Sequence, residues 1–181
     1  MLVEHIDSIQ KFFPNGVRWD EKNDNPQIKS YIARIALLIT TLSANIVKEV
    51  KSEPGVPQKP DPKRMMMICY SISCGHGFLN GRTSLTMDDL LVPIRLLDTI
   101  PESRYDLLQA LVKNGGTITS KQYAKISGFS RGSIYTRFNE FVTLGVCKYV
   151  STPDVTKPIL TITLHQDFHW LLDDVIIATM P

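Results

Sequence analysis

The side chains best suited to recognition chemistry gather between Arg131 and Leu144. Arg131, Ser133, Tyr135 and Thr136 are hydrogen-bonding groups set within two helical turns, and Gly132 among them would let a backbone come close to a ligand. Groups of this kind at a helix N-terminus suit the base edges of a DNA major groove, with cations at the rim for phosphates. Arg137 fits the rim role, and Lys121 and Lys157 add cations on either side in sequence. At about 100° per residue, Ile134, Phe138 and Phe141 turn together to the opposite, inward side. Glu140 falls on the outward side, where a carboxylate repels phosphate unless it accepts from a cytosine amine. Lys157 is a lone cation against Asp154, which makes a weak second contact.

Other chemistries have less behind them. Cys74 and His76, with His165 and His169, could supply four metal ligands. His165 falls at a strand-to-helix junction, however, and the two pairs lie in different parts of the chain, so no metal is expected. Met65, Met66, Met67 and Ile68 read as core on a buried helix rather than as a soft-metal site, and Trp19 and Trp170 as core anchors. No phosphate-binding loop occurs, and Gly75-His76-Gly77 lacks the lysine one needs. No nucleophile has a neighbouring base. The chain therefore reads as a binding module and not as an enzyme by itself, with no cofactor of its own.

The elements that would carry these residues fall into two parts. Residues 1–100 read as helical, beginning with apolar residues at helical spacing near Leu2–Phe13. Asn25-Pro26 and Asp61-Pro62 each pair an N-cap residue with proline at the first helical position. They open one helix running to about Val47 and another from Lys63 to about Leu79. A flexible loop spans 48–60, with Pro54, Gly55, Pro57 and Pro60. Thr86 followed by Asp88 and Asp89 caps a third helix, Met87–Leu97, with Pro93 inside it. No strand is expected in this half.

Residues 101–181 change pattern. A helix around Leu107–Val112 is followed by a short extended segment at Ile118, then helices Ser120–Ser127 and Arg131–Leu144 separated by Gly128. Strands Val146–Val150 and Ile159–Leu164 flank a loop at 151–158, and a helix Asp167–Ala178 comes last. Tyr123, Ile126, Phe129, Ile134, Phe138 and Phe141 would fill the core. Helix, helix-turn-helix and a two-stranded β wing, in that order, predict a mainly α chain ending in a winged helix-turn-helix domain, Pro101 to about Trp170.

Charge agrees with that division. The formal net charge is only +2. Between Pro101 and His165, though, eight basic residues face four acids, while the remainder carries 12 basic and 14 acidic groups. Positive charge is thus concentrated where a polyanion would bind. Three cysteines without C-x-x-C spacing predict a reducing compartment. The start lacks the basic region of a signal peptide, and no apolar run is long enough to cross a membrane. A cytoplasmic, nucleoid-associated location follows as an expectation.

Several short motifs carry a resemblance. Pro62-Lys63-Arg64 opening a helix, Gly75-His76-Gly77, Gly81-Arg82-Thr83-Ser84-Leu85-Thr86-Met87-Asp88-Asp89-Leu90 and Ile94-Arg95-Leu96-Leu97 together resemble the lid of MCM-like AAA+ ATPases. Ser103–Val146 resembles the winged helix that follows such lids in archaeal and bacterial ATPases. The resemblance implies the C-terminal part of a longer ATPase whose core is absent from this chain. Arg64 would then match the lid's sensor arginine, reaching the γ-phosphate of ATP held by that core. The implied partners are double-stranded DNA and the ATPase core of the same parent chain. Two rivals stand beside this reading: a stand-alone transcription regulator whose helical half makes a homo-oligomer or senses an effector, and a winged helix that binds protein.

Overall fold

The computed structural model describes residues 11, 13–16, 18–47, 55–150 and 159–180. The chain is mainly helical, with two small antiparallel sheets. It divides into two compact units. One comprises Met1–Ile39 and Asp61–Leu96 with Pro181, the other Thr40–Pro60 and Leu97–Met180. Segment 40–60, grouped with the N-terminal half in the sequence reading, therefore counts with the second unit. Among the described residues no helix is long and apolar enough to cross a membrane.

In the first unit, α1 (Pro26–Leu42) starts where expected, with the Gln27 amide donating to Asn25 Oδ1 at 2.8 Å. Ile28, Tyr31, Ile32, Ile35, Leu38 and Ile39 are buried at three- and four-residue steps, forming the apolar stripe of an amphipathic helix. α2 (Pro62–Leu79) is capped by Asp61, which accepts from the Lys63 amide at 2.9 Å. Its buried stripe is Cys69, Ser73, Cys74 and Gly77. Met66, Met67 and Ile68 therefore turn outward and are exposed, against the sequence reading of a methionine core. Gly77 has no room for a side chain, since a Cβ there would stand 3.0 Å from the Trp19 ring. Trp19 itself is half-buried, edge-on to Phe78 at 4.9 Å.

The expected helix over Met87–Leu97 is broken into a 3-10 turn (Met87–Leu90), the short α3 (Leu91–Arg95) and a second 3-10 turn (Leu96–Thr99). Pro93 explains much of this, because it has no N–H to give a carbonyl four residues back. The Thr86–Asp89 capping box at its start is present.

In the second unit, β1 (Asn45–Val47) pairs with β2 (Val56–Gln58) in antiparallel register, Asn45 opposite Gln58. No strand was expected here, and α1 ends at Leu42 rather than near Val47. Three-residue strands carry too little alternation to read, and Pro57 argues against a strand except at an edge, which a two-stranded sheet provides. α4 (Glu102–Lys113), β3 (Thr117–Thr119), α5 (Ser120–Ser127), α6 (Arg131–Thr143), β4 (Cys147–Tyr149) and β5 (Thr161–Leu164) follow. The strands form one sheet in the order β3-β5-β4, so the expected hairpin gains a third strand through Ile118 opposite Ile162. Leu107, Leu108, Leu111, Ile118, Phe138, Ile162 and Leu164 make its innermost core.

The final helix is shorter than expected. A 3-10 turn, Gln166–Leu172, buries Phe168, Trp170 and Leu171, and Asp173 in extended conformation separates it from α7 (Asp174–Thr179).

Candidate nucleic-acid interface

Two local devices set α6 at its angle. α5 opens on a reciprocal cap, the Gln122 amide donating to Thr119 Oγ1 at 3.2 Å and the Thr119 amide to Gln122 Oε1 at 2.9 Å. It closes on Gly128, whose φ of +70° lies in the left-handed region that a side chain would strain. Ser130 then caps α6 by accepting from the Ser133 amide at 3.3 Å. Ile134, Phe138 and Phe141 point inward, with Tyr123 tilted against Phe138 at 5.9 Å between ring centres.

The outer side of α6 is open. Arg131, Gly132, Ser133 and Thr136 are exposed, and Tyr135 is 56% exposed. Their hydrogen bonds are local: Ser133 Oγ lies 3.0 Å from Ser130 Oγ, and Thr136 Oγ1 donates to Gly132 O at 3.2 Å. Both hydroxyl oxygens keep acceptor capacity for a ligand. Lys121 and Lys125 of α5 are also exposed. Lys157 belongs to the segment 151–158, outside the described residues.

Three side chains are placed differently from expectation. Arg137 is not a free rim cation: its Nη1 donates to Ser103 O at 2.9 Å, and its guanidinium sits 4.0 Å over the Phe129 ring. It fastens α6 to the first turn of α4 and to the α5–α6 turn. Glu140 does not stand free on the outer face but faces Arg104, with Oε2 3.6 Å from Nε. Arg104 is 12% exposed and also donates to Leu42 O and Ala44 O at 2.7 and 2.8 Å. Ile126, assigned to the core, is 60% exposed.

Helical spacing puts Asn139 on the outward side of α6, but the place of Tyr149 beside it was missed by sequence reasoning. The Tyr149 hydroxyl of β4 donates to Asn139 Oδ1 of α6. Burial, then the nearby Tyr135 phenol, raises the Tyr149 pKa above its ordinary 10.0. Asn139 follows Tyr135 by four residues and so shares its side of α6. That spacing was legible; the partner strand was not.

In the first unit, Arg64 is exposed in the opening turn of α2. Three residues of the other motifs quoted above, His76, Arg82 and Thr86, converge on Asp89. Arg82 grips its carboxylate with two bonds of 2.6 and 2.9 Å, His76 Nδ1 lies 2.7 Å from Oδ1, and the Thr86 amide donates to Oδ2 at 2.7 Å. Burial alone would raise the Asp89 pKa. The Arg82, Thr86 and His76 contacts outweigh it and hold the carboxyl below its ordinary 3.8. Arg64 stands apart from this network, being twelve residues or about 18 Å along α2 from His76.

Of the four side chains weighed as metal ligands, Cys74 is a buried thiol whose pKa burial pushes up to about 11, a poor thiolate source. His165 faces Asp167 at 3.1 Å, and His169 Nε2 lies 3.2 Å from Leu164 O. Among the described residues no group of three or more His, Cys, Asp or Glu side chains is placed to hold a metal ion.

No protein family, curated protein or solved structure matches this chain. The residues themselves are the ground for a functional reading.

Proposed function

We propose that the second unit is a winged helix-turn-helix that binds double-stranded DNA, with α6 entering the major groove, α5 crossing the backbone and β4–β5 as the wing. The observation that carries this reading is the outward side of α6 over Arg131–Thr136. It is polar, solvent-exposed and without an acid, and Lys121 and Lys125 lie on the preceding helix. Short hydroxyls there can meet base edges while the cations meet phosphates. With Glu140 turned to Arg104, the carboxylate that argued against a phosphate partner is partly neutralised.

The first unit is read, on the motif resemblance, as the lid of an MCM-like ATPase, and the chain as the C-terminal part of such a protein. It binds rather than catalyses. ATP enters only through a core supplied by a longer parent chain, with Arg64 as the sensor candidate.

The test is equilibrium binding of a labelled duplex across a salt series. Salt-dependent affinity is expected, and the double variant Lys121→Ala, Arg131→Ala should weaken it and lower the salt slope by about 2. A double variant that binds duplex as well as the parent overturns the reading. A tight protein partner without any duplex affinity would move the assignment to protein recognition, and a stable dimer to a stand-alone regulator.

A further inference from the structure

A helix that reads base edges does so chiefly through hydrogen-bonding groups, which do not require a broad, exposed aromatic face at its second turn. Tyr135 nevertheless presents one, 56% exposed, between Arg131 and Asn139 on the open side of α6. Tyr149 comes to the same place from β4, the residue 38% exposed and its hydroxyl tied to Asn139. Val150 follows it, also exposed. The strip is therefore polar at the start of α6, aromatic at its middle and apolar where it meets β4.

Paired bases show only their edges in a groove, and those edges are chiefly hydrogen-bonding groups with the thymine methyl as the one apolar patch. An aromatic ring packs well against a second ring stacked with an offset across its face. Inside a duplex that face is covered by the neighbouring pairs, and a base offers it fully when it is unpaired. Stacking on an aromatic side chain tolerates any base, because every base has a π-face. The exposed cations Lys121, Lys125 and Arg131 supply the backbone attraction that such a partner needs.

Resting on the DNA reading above, we infer that the α6–β4 face takes a duplex carrying an unpaired nucleotide, with Tyr135 as the platform for the unpaired base and the Tyr149 ring, braced by Asn139, beside it. Arg131, Ser133 and Thr136 hold the paired part. The unpaired base leaves the groove at the second turn of α6.

The experiment compares the full chain on a blunt duplex and on the same duplex with a single-stranded tail, the first unpaired base being 2-aminopurine. The tailed form is expected to bind about tenfold tighter, with quenched fluorescence. Tyr135→Ala should abolish both the quenching and the preference, the latter read as the ratio of tailed to blunt affinity. Tyr135→Phe should keep both, because stacking needs the ring and not the hydroxyl. Matching thermal melts of the variants show that the fold is intact, as an exposed position allows. Equal affinity of the parent chain for blunt and tailed duplexes overturns this inference and leaves the duplex reading standing. Absence of any nucleic-acid affinity overturns both.

Discussion

Asp24 and Asp89 of the first unit are 4% and 0% exposed, and every carboxylate oxygen has a donor. Asp24 accepts from Trp19 Nε1 at 3.1 Å, the Tyr70 hydroxyl at 2.5 Å and the Leu85 amide at 2.9 Å. In the second unit, Arg131, Ser133 and Thr136 stand in solvent, and the two hydroxyls have only local partners within α6 and its cap. The same classes of side chain thus serve opposite ends. A buried carboxylate is tolerable only when its donors are complete, so it ties distant segments of its unit together and has nothing left for a ligand. Exposed groups contribute little to stability, which leaves them available for recognition.

The contrast is broken or sharpened by substitutions. Asp89→Ala should cost the most, about 3 kcal/mol in urea unfolding, because Arg82 loses a bidentate partner and the Thr86 amide its acceptor. A loss no greater than that of Ser133→Ala would erase the distinction. The same carboxylate makes stability pH-dependent. Its folded pKa lies below the ordinary 3.8, so its contribution is complete above about pH 4 and disappears as pH falls through the folded value. Urea midpoints measured downward from neutral pH should show this fall, and Asp89→Asn should flatten it.

Arg104→Ala comes next, at about 2 kcal/mol, since it strips donors from Leu42 O and Ala44 O. It should also weaken duplex binding by leaving Glu140 without its cation, and an unchanged affinity would show that this carboxylate lies clear of the phosphates. Tyr123→Phe runs the other way. The Tyr123 hydroxyl is buried without a hydrogen-bond partner among the described residues, so its removal should raise stability by up to about 1 kcal/mol in thermal or urea unfolding. A loss instead would reveal a partner for that hydroxyl. The smallest effect belongs to the open face. Lys121→Ala with Arg131→Ala should move stability by no more than about 0.5 kcal/mol while reducing DNA affinity.

Helix starts and turns were the legible part of this fold. Asn25-Pro26, Asp61-Pro62, the Thr119 cap and the Ser130 cap all act within three residues of themselves, and each begins an element where the sequence placed it. Elements whose limits depend on a partner were misread. β1 and β2 are each too short to show a period. The Met87–Leu97 helix gave way on either side of the short α3 that holds Pro93, and the last helix yielded to a 3-10 turn that buries Phe168, Trp170 and Leu171. For the candidate site, helical spacing correctly turned Ile134, Phe138 and Phe141 inward and Arg131–Thr136 outward, apart from the buried Ile134. It placed Arg137 and Glu140 wrongly for one shared reason: a long side chain at the flank of a helix goes where its partner is.

By itself, then, the order of residues determined where chains of local hydrogen bonds begin and end, and which side of each amphipathic helix is apolar. Those outcomes depend on neighbours a few positions away, and spacing encodes them. Tertiary structure alone decided that Arg137 reaches Ser103, that Arg104 joins Leu42, Ala44 and Glu140, and that Tyr149 meets Asn139. Ser103 stands 34 positions from Arg137, and all three partners of Arg104 are more than thirty positions from it. Tyr149 and Asn139, though only ten positions apart, belong to different elements across a turn. The energy of such contacts depends on packing that no linear pattern records.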